Sequence, residues 1–340
     1  MKKRVKMKSQ KVFVISILLI IFTSLLLSST NRASSEKTEV LDTSLLTQIN
    51  LNRIYNITEY LSSFRTRLTG TLECTLAANY IHSMLNETFN ITDSGYETWR
   101  YNGSDSLNVV ARINGTNLRD EIVIICAHYD SISIDESAPG ANDNAVSVAV
   151  CMELMRIIQN SGPLNRTLLF ISFAGEEQAY IGSQAWVNQH KGDLSKIIAV
   201  LNLDMIGCGS HLTIIKNDQS DWLADTIITA SSIVNVSFSK TISPYPETAR
   251  FEHDTFWTVQ VPCISLFEGG SIYPHYHTAE DTIDKISFSL VEKCAQATLL
   301  SVLFLGTVNF QHNWTNFTIL ICTLWGIAGI LPFLIYKKFK

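Results

Sequence analysis

The central part of this sequence lacks both closely spaced cysteines and clusters of basic residues. None of the seven cysteines in the whole chain belongs to a C-x-x-C pair, which argues against a zinc site built from cysteine thiolates. The chain has no arginine-rich run or basic patch, so nucleic acid is not an expected partner. It also contains no internal repeat.

The charge is distributed unevenly along the chain. The 31 acidic residues outnumber the 26 basic ones, which gives a net charge of -5. Nine of the basic residues lie in the two tails, six in residues 1–11 and three in residues 337–340. The central part is therefore more acidic than the total suggests.

Two apolar runs flank the central part. The first, Val12–Leu27, follows the basic start, a pattern typical of a signal peptide or a signal anchor, and residues 1–30 are assigned to one or the other. The second, residues 317–336, has twenty residues without a charge and predicts a transmembrane helix, with a buried core helix as the alternative. The lysines of residues 337–340 predict a cytosolic tail, because basic residues favour the cytosolic side of a membrane.

Between these runs the sequence predicts a linker, residues 31–45, and one domain, residues 46–310. If both tails are cytosolic, this domain lies outside the cell or in a lumen and is held at a lipid bilayer. An excess of N-x-S/T glycosylation motifs supports that location. The nine motifs begin at Asn56, Asn86, Asn90, Asn102, Asn114, Asn165, Asn235, Asn313 and Asn316.

Apolar strand patterns alternate with helical patterns through the predicted domain. Helical spacing is seen within residues 45–85, and the later helices are predicted at residues 143–159, 181–190, 221–233 and 287–305. Strands are predicted at residues 107–113, 121–128, 167–174, 197–206 and 263–267. This alternation indicates an α/β fold, with a mixed, mostly parallel sheet sandwiched between helices.

Acidic residues and histidines fall at the ends of these predicted elements. They are His128, Asp130, Asp143, Glu176, Glu177, Asp204 and His277. In open α/β sheets, ligands bind beyond the carboxyl ends of the strands, so we expect these side chains to meet at one edge of the sheet.

A dication would remove the cost of bringing these groups together. Carboxylates buried without partners are expensive, and several of them at one site repel each other. Two histidines and three carboxylates suit zinc. Five ligands exceed what one tetrahedral catalytic zinc can use, but they suit two zinc ions if one carboxylate bridges them.

The order H-x-D, D, E-E, D, H resembles the M28 family of zinc peptidases, which includes bacterial leucyl aminopeptidases. The resemblance covers about residues 50–305, and it includes R-L-T-G-T at residues 67–71 and H-D-T-F-W at residues 253–257. It implies the fold of zinc exopeptidases for the domain at residues 46–310. It also implies two zinc ions per chain and a peptide substrate.

The resemblance implies a ligand for each metal position. His128 and Asp204 bind the first zinc, Glu177 and His277 bind the second, and Asp143 bridges the two. The same resemblance implies the groups that act beside the metals.

Glu176 is implied as the general base that moves a proton from water to the leaving amine. Asp130 is implied to orient His128. Tyr276 is implied to stabilise the oxyanion, with Tyr273 and Tyr129 as alternatives.

Three functions are compatible with this pattern. The leading expectation is a zinc-dependent aminopeptidase. A glutaminyl-peptide cyclase working with one zinc is the second, although the motifs P-G-A-N-D-N and Y-H-T-A-E-D-T resemble the peptidase branch more closely. The third is a non-catalytic receptor ectodomain on the same fold, against which stands the presence of all five ligands and the base.

Overall fold

The computed structural model describes residues 40–101, 103–234, 236–242, 252–269, 273–308, 317–322 and 333–338. The predicted signal segment, residues 1–30, lies outside the described residues, as does most of the predicted linker. The linker prediction is wrong at its end, because the chain already forms a strand at Val40–Leu41 and a short helical turn at Thr43–Gln48. Leu41 and Leu45 are buried there, which ties this segment to the core.

An eight-stranded mixed sheet forms the centre of the fold, and its strands are ordered β2-β3-β5-β4-β6-β9-β7-β8. Strands β5, β4, β6 and β9 are parallel to one another, whereas β2 and β3 at one side run antiparallel to their neighbours. The strands, after β1 at Val40–Leu41, are β2 (Ser94–Tyr101), β3 (Ser104–Ile113), β4 (Leu118–His128), β5 (Arg166–Phe173), β6 (Ile197–Leu203), β7 (His211–Lys216), β8 (Phe238–Ile242) and β9 (Cys263–Gly269).

Helices cover both faces of this sheet. They are α1 (Leu51–Ser62), α2 (Leu72–Ser83), α3 (Val146–Ser161), α4 (Ile181–Gln189), α5 (Asp221–Ile233), α6 (Glu252–Thr258) and α7 (Phe288–Thr307). Alternate residues of β4 enter different cores: Val123 and Ile125 pack in the larger one, whereas Ile124 and Cys126 pack in the smaller one. This is the pattern of a strand buried on both faces. The predicted α/β class is therefore confirmed.

The C-terminal apolar run differs from its prediction. Residues Phe317–Cys322 (β10) and Phe333–Lys338 (β11) form antiparallel strands, and β1 pairs with the outer side of β11. Residues 317–322 and 333–336 are therefore extended where one helix over residues 317–336 was predicted, and the cytosolic location of residues 337–340 stays a prediction. The run is rich in β-branched and aromatic residues, which favour strands, and apolarity alone does not distinguish a strand from a buried helix.

Among the described residues, one helix is long and apolar enough to cross a membrane. It is α7, and 67% of its apolar window is buried inside the fold. A core helix of a soluble domain passes the same test of length and composition.

Candidate metal centre

Three neighbouring parallel strands end at the same edge of the sheet and deliver the first group of polar residues. His128 is the last residue of β4, which lies between β5 and β6. Glu176 and Glu177 come shortly after β5, and Asp204 directly follows β6. The sheet thus places a histidine and three carboxylates at adjacent strand ends.

Two loops bring the remaining residues to this edge. Asp143 lies in an irregular turn, Ala141–Ala145, that leads into α3. The turn begins at Gly140, whose φ is 54° and where a Cβ would collide with the backbone oxygen of Asp143. Only glycine fits that approach. His277 belongs to the loop between β9 and α7.

The five predicted metal ligands meet around Asp143. His128 Nε2 lies 3.2 Å from Asp143 Oδ1 and 3.5 Å from Asp204 Oδ1. His277 Nε2 lies 3.2 Å from Asp143 Oδ2 and 3.0 Å from Glu177 Oε2. Each oxygen of Asp143 therefore faces a different histidine. The side chains form two groups of three that share Asp143, each with ligand atoms within 4.8 Å of one another.

Several of these atoms are buried but lack hydrogen bonds. Asp143 Oδ2, Glu177 Oε1, Asp204 Oδ1 and His277 Nε2 make none with any residue that the structure describes. Two of them, Asp143 Oδ2 and His277 Nε2, lie within salt-bridge distance of each other, so it is the orientation that is unsuitable for a hydrogen bond. Buried polar atoms without partners are costly, and lone pairs that converge on common points suit a dication. The donor set of imidazole and carboxylate fits zinc.

The protonation of the metal-free centre follows from burial and from the crowding of charges. Burial, followed by the charge of Asp143, raises the pKa of Glu177 to about 8. Burial opposes protonation of His277, but the nearby carboxylates of Asp143 and Glu177 outweigh it and raise the pKa of that imidazole to about 10. Burial also acts to raise the pKa of Asp143, yet its contacts with His128 and His277 hold that pKa below its ordinary value. Protons thus partly neutralise the crowded carboxylates.

Glu176 lies beside the ligands and is nearly buried, at 9% exposure. It forms a group with His128 and Glu177 whose ligand atoms lie within 4.8 Å of one another. Burial raises the pKa of Glu176 well above its ordinary range. A carboxyl group in such surroundings can both accept and return a proton near neutral pH.

Asp130 is placed differently from its predicted role. Its carboxylate lies 3.6 Å from His128 Nδ1, beyond hydrogen-bond distance, whereas its backbone oxygen lies 3.2 Å from the same nitrogen. The carboxylate instead accepts hydrogen bonds from the backbone amides of Glu176 and Glu177 and from the Thr69 hydroxyl. Asp130 therefore contacts His128 through its main chain and holds the segment after β5 through its side chain.

Of the three tyrosines considered for the oxyanion, two have hydroxyls engaged away from the ligands. Tyr129 donates to Leu107 O at 2.7 Å, and Tyr273 donates to Asp281 Oδ1 at 2.8 Å. The ring of Tyr276 stacks on His277 with centroids 3.7 Å apart, and the residue is 46% exposed. Tyr276 is the one whose position suits contact with a bound substrate.

Two acidic residues at the site carried no clear signal in the sequence. Glu252 is fully buried, and its carboxylate lies within 4.8 Å of those of Glu176 and Asp204. Asp281 is also buried, and it contacts the loop that carries Asp143. Each lies close to a motif that the sequence does show, Glu252 directly before H-D-T-F-W and Asp281 within Y-H-T-A-E-D-T.

Comparison with known proteins finds relatives that are named as a metallopeptidase and an aminopeptidase. The chain is 28% identical over 232 residues to endoplasmic reticulum metallopeptidase 1 of Rattus norvegicus, covering 66% of this chain and 25% of that protein. It is 29% identical over 199 residues to aminopeptidase YwaD of Bacillus subtilis, covering 55% of this chain and 42% of the relative. The chain thus spans about a quarter of the length of the first relative and under half of the second.

The fold has solved counterparts. The aminopeptidase LapA of Legionella pneumophila superposes with a TM-score of 0.70 at 19% identity, covering 80% of this chain and 78% of that one. At that identity the likeness concerns the fold alone. The family model described as peptidase family M28 matches residues 108–302, which is more than half of the sequence and includes His128, Asp143, Asp204 and His277. The chain therefore belongs to peptidase family M28.

Proposed function

We propose that this protein is a zinc-dependent aminopeptidase that uses two zinc ions to hydrolyse peptide bonds. The observation that carries the proposal is the pair of three-residue groups that share Asp143, with unpartnered buried ligand atoms converging on both. Relatives named as aminopeptidases and zinc metalloproteases support the choice of reaction and metal. The chain covers only part of the length of these relatives. Their activity is therefore proposed for this chain and not transferred to it.

The ligand assignment follows the two groups. His128 and Asp204 would hold one zinc, Glu177 and His277 would hold the other, and Asp143 would be shared by both. When bound, zinc supplies Lewis acidity that polarises a peptide carbonyl and lowers the pKa of water. The protein contributes the fixed geometry of the ligands and a site from which most water is excluded.

Glu176 performs the proton transfers. Its carboxylate removes a proton from the attacking water and later gives it to the nitrogen of the leaving amine, so the glutamate ends each cycle as it began. Tyr276 would donate its hydroxyl hydrogen to the oxygen that gains charge, and its support is the stacking of its ring on His277 together with its exposure. Asp130 accepts hydrogen bonds from the backbone amides of Glu176 and Glu177, which fixes the position of the proposed base relative to a proposed ligand.

The test is Glu176→Gln, which keeps the size of the side chain but removes the base. We expect turnover of aminoacyl chromogenic substrates to fall about 10²- to 10⁴-fold. Zinc content, measured by elemental analysis on the same sample, should stay at two ions per chain, because Glu176 is not a proposed ligand. Glu136→Gln is the control, since Glu136 is a solvent-exposed acid in an ion pair with Arg65. Full activity in Glu176→Gln would contradict the role of the base.

The same measurements separate the other two functions. A glutaminyl-peptide cyclase is expected to hold one zinc and to release ammonia from peptides with N-terminal glutamine. A receptor ectodomain is expected to show no chelator-sensitive turnover. The complete set of five ligands around Asp143 and the buried Glu176 beside it support the peptidase over both.

We propose that the catalytic domain faces a lumen or the cell exterior, with the N-terminal apolar segment Val12–Leu27 acting as a signal peptide or as a signal anchor that attaches it to a lipid bilayer. The support is the basic start of the chain, the nine glycosylation motifs and the relative named as an endoplasmic reticulum metallopeptidase. Residues 317–336 have no part in this proposal.

A further inference from the structure

The side chain of Asp281 connects two loops of the metal centre. It is buried, with 2% exposure, and its carboxylate accepts three hydrogen bonds. Oδ1 accepts from the backbone amide of Asn142 at 2.9 Å and from the Tyr273 hydroxyl at 2.8 Å. Oδ2 accepts from the backbone amide of Asp143 at 3.0 Å. The backbone oxygen of Asp281 accepts a fourth bond, from the amide of Ala141 at 3.0 Å.

The turn that carries Asp143 needs such an acceptor. Inside it, Asp143 has φ -115° and ψ 79°, and Asn144 has φ -143° and ψ 34°, so the backbone is not helical there. Amides at the start of a helix have no intrahelical carbonyl to bond, and a buried amide without a partner is costly. Asp281 gives acceptors to three consecutive amides, one with its backbone and two with its side chain.

Asp281 is also fixed relative to His277. It lies four residues after that histidine, and its own amide donates to Thr278 O at 3.2 Å. The Thr278 amide in turn donates to His275 O at 3.2 Å, so the segment between His277 and Asp281 forms a compact turn. One carboxylate therefore joins the loop of the bridging residue to the loop of a terminal ligand.

We propose that Asp281 is a positioning residue that sets the separation of Asp143 and His277 and thereby the affinity of the centre for its second zinc. The inference rests on the proposed function, since the second zinc is the one assigned to Glu177 and His277. Asp281 itself belongs to neither of the two three-residue groups that share Asp143. It acts by fixing the backbone from which the Asp143 side chain reaches both histidines.

The variant Asp281→Asn tests this with little change in volume. The backbone amides of Asn142 and Asp143 both donate to the Asp281 carboxylate. The oxygen of an asparagine can accept from one of these amides, but its NH₂ group then faces the other amide, and two donors cannot form a hydrogen bond. We expect binding of the more weakly held zinc to weaken about 10- to 100-fold, the range typical of groups that orient metal ligands. After dialysis against limiting zinc the variant should retain one ion, and excess zinc should restore activity. Rescue by zinc is not expected of a general loss of fold.

Asp284→Asn is the matched control, because Asp284 lies three residues further along and pairs with Lys285 at the surface, with 66% side-chain exposure. It should keep two zinc ions and the activity of the unmodified protein. If Asp281→Asn also retains both ions after the same dialysis, the proposal is wrong.

Hydrogen exchange on the unmodified, zinc-free protein gives a readout that does not depend on the variant folding or on any activity. The amides of Asn142 and Asp143 should be protected without metal, because Asp281 holds them. Free exchange of both amides in folded, zinc-free protein would overturn the role of Asp281. Failure of the unmodified protein to bind two zinc ions would instead contradict the proposed function, so the two failures are distinguishable.

Discussion

At the scale of the residue, the metal-free centre is neutralised by protons that zinc must displace. The imidazole of His277 is expected to be a cation at neutral pH, because the adjacent carboxylates of Asp143 and Glu177 overcome burial and raise its pKa to about 10. Glu177 is largely protonated there, since burial raises its pKa to about 8. Both groups bind zinc only in their deprotonated forms. Zinc and protons therefore compete for the same atoms.

This competition predicts that zinc binding releases protons. At pH 7 we expect about two protons to leave per chain as the second zinc binds, one from His277 and one from Glu177. Since both pKa values lie above 7, affinity should rise as the pH increases from 6 to 8 and fall when the solution is acidified. Calorimetric titration of zinc into chelated protein, repeated in buffers with different ionisation enthalpies, measures the number directly. A count near zero would show that the carboxylates and imidazole are already deprotonated.

The predictability of individual site residues depended on where they lie in the chain. His128, Glu176, Glu177 and Asp204 could be predicted because each follows an apolar strand, where a charged group is unexpected without a purpose. Asp281 could not, because its function is defined by contacts with a loop 138 residues away and its own sequence surroundings are those of an ordinary polar turn.

At the scale of the element, a buried arginine holds the loop before the metal centre. Arg67 is fully buried and donates to four backbone oxygens, those of Leu61, Tyr129, Pro139 and Gly140. Its guanidinium thus links the end of α1, the end of β4 and the start of the turn that carries Asp143. Arginine has five N–H donors in a fixed planar fork, so one side chain can bond these four carbonyls at once.

We expect Arg67→Met to lower the free energy of unfolding by about 3 kcal/mol or more, because it leaves four buried carbonyls without their donor. Arg65→Met is the matched control: Arg65 is two residues away and its side chain is 67% exposed, so its loss should change stability by no more than about 0.5 kcal/mol. Urea denaturation of both variants gives the comparison. Equal stability of the two would show that the buried hydrogen bonds contribute little.

Elements were predictable where burial is complete and less so at the margins of the sheet. Strands β4 and β5 are apolar over most of their length and were predicted to within a few residues. Strands β2, β7 and β8 were missed. These strands lie toward the sides of the sheet. Buried and exposed residues alternate in β2, and polar residues interrupt the apolar pattern of all three strands. The sequence therefore contains no apolar run that would predict them.

At the scale of the whole molecule, the glycosylation motifs connect the fold to its proposed location. Asn56 and Asn90 are exposed on the surface of the domain. Asn165 also starts a motif, but its side chain is part of the packing between β5 and the end of α7: its amide donates to Thr307 O, and its oxygen accepts from Asn117 at 3.0 Å. A glycan on that nitrogen would force a bulky polar group into a partly buried contact.

The structure therefore predicts a selective pattern of glycan occupancy if the domain faces a lumen or the cell exterior. We expect Asn56 and Asn90 to carry glycans and Asn165 to remain unmodified in protein from a secretory-pathway host. Peptide mass spectrometry after enzymatic deglycosylation in heavy-oxygen water identifies each modified asparagine. Asn56→Gln should remove one glycan from the mass of the intact protein, whereas Asn165→Gln should leave the glycan mass unchanged. Absence of glycans at every motif would contradict the proposed orientation, because exposed motifs on the lumenal side are accessible to the transferase, whereas the same motifs in the cytosol are not.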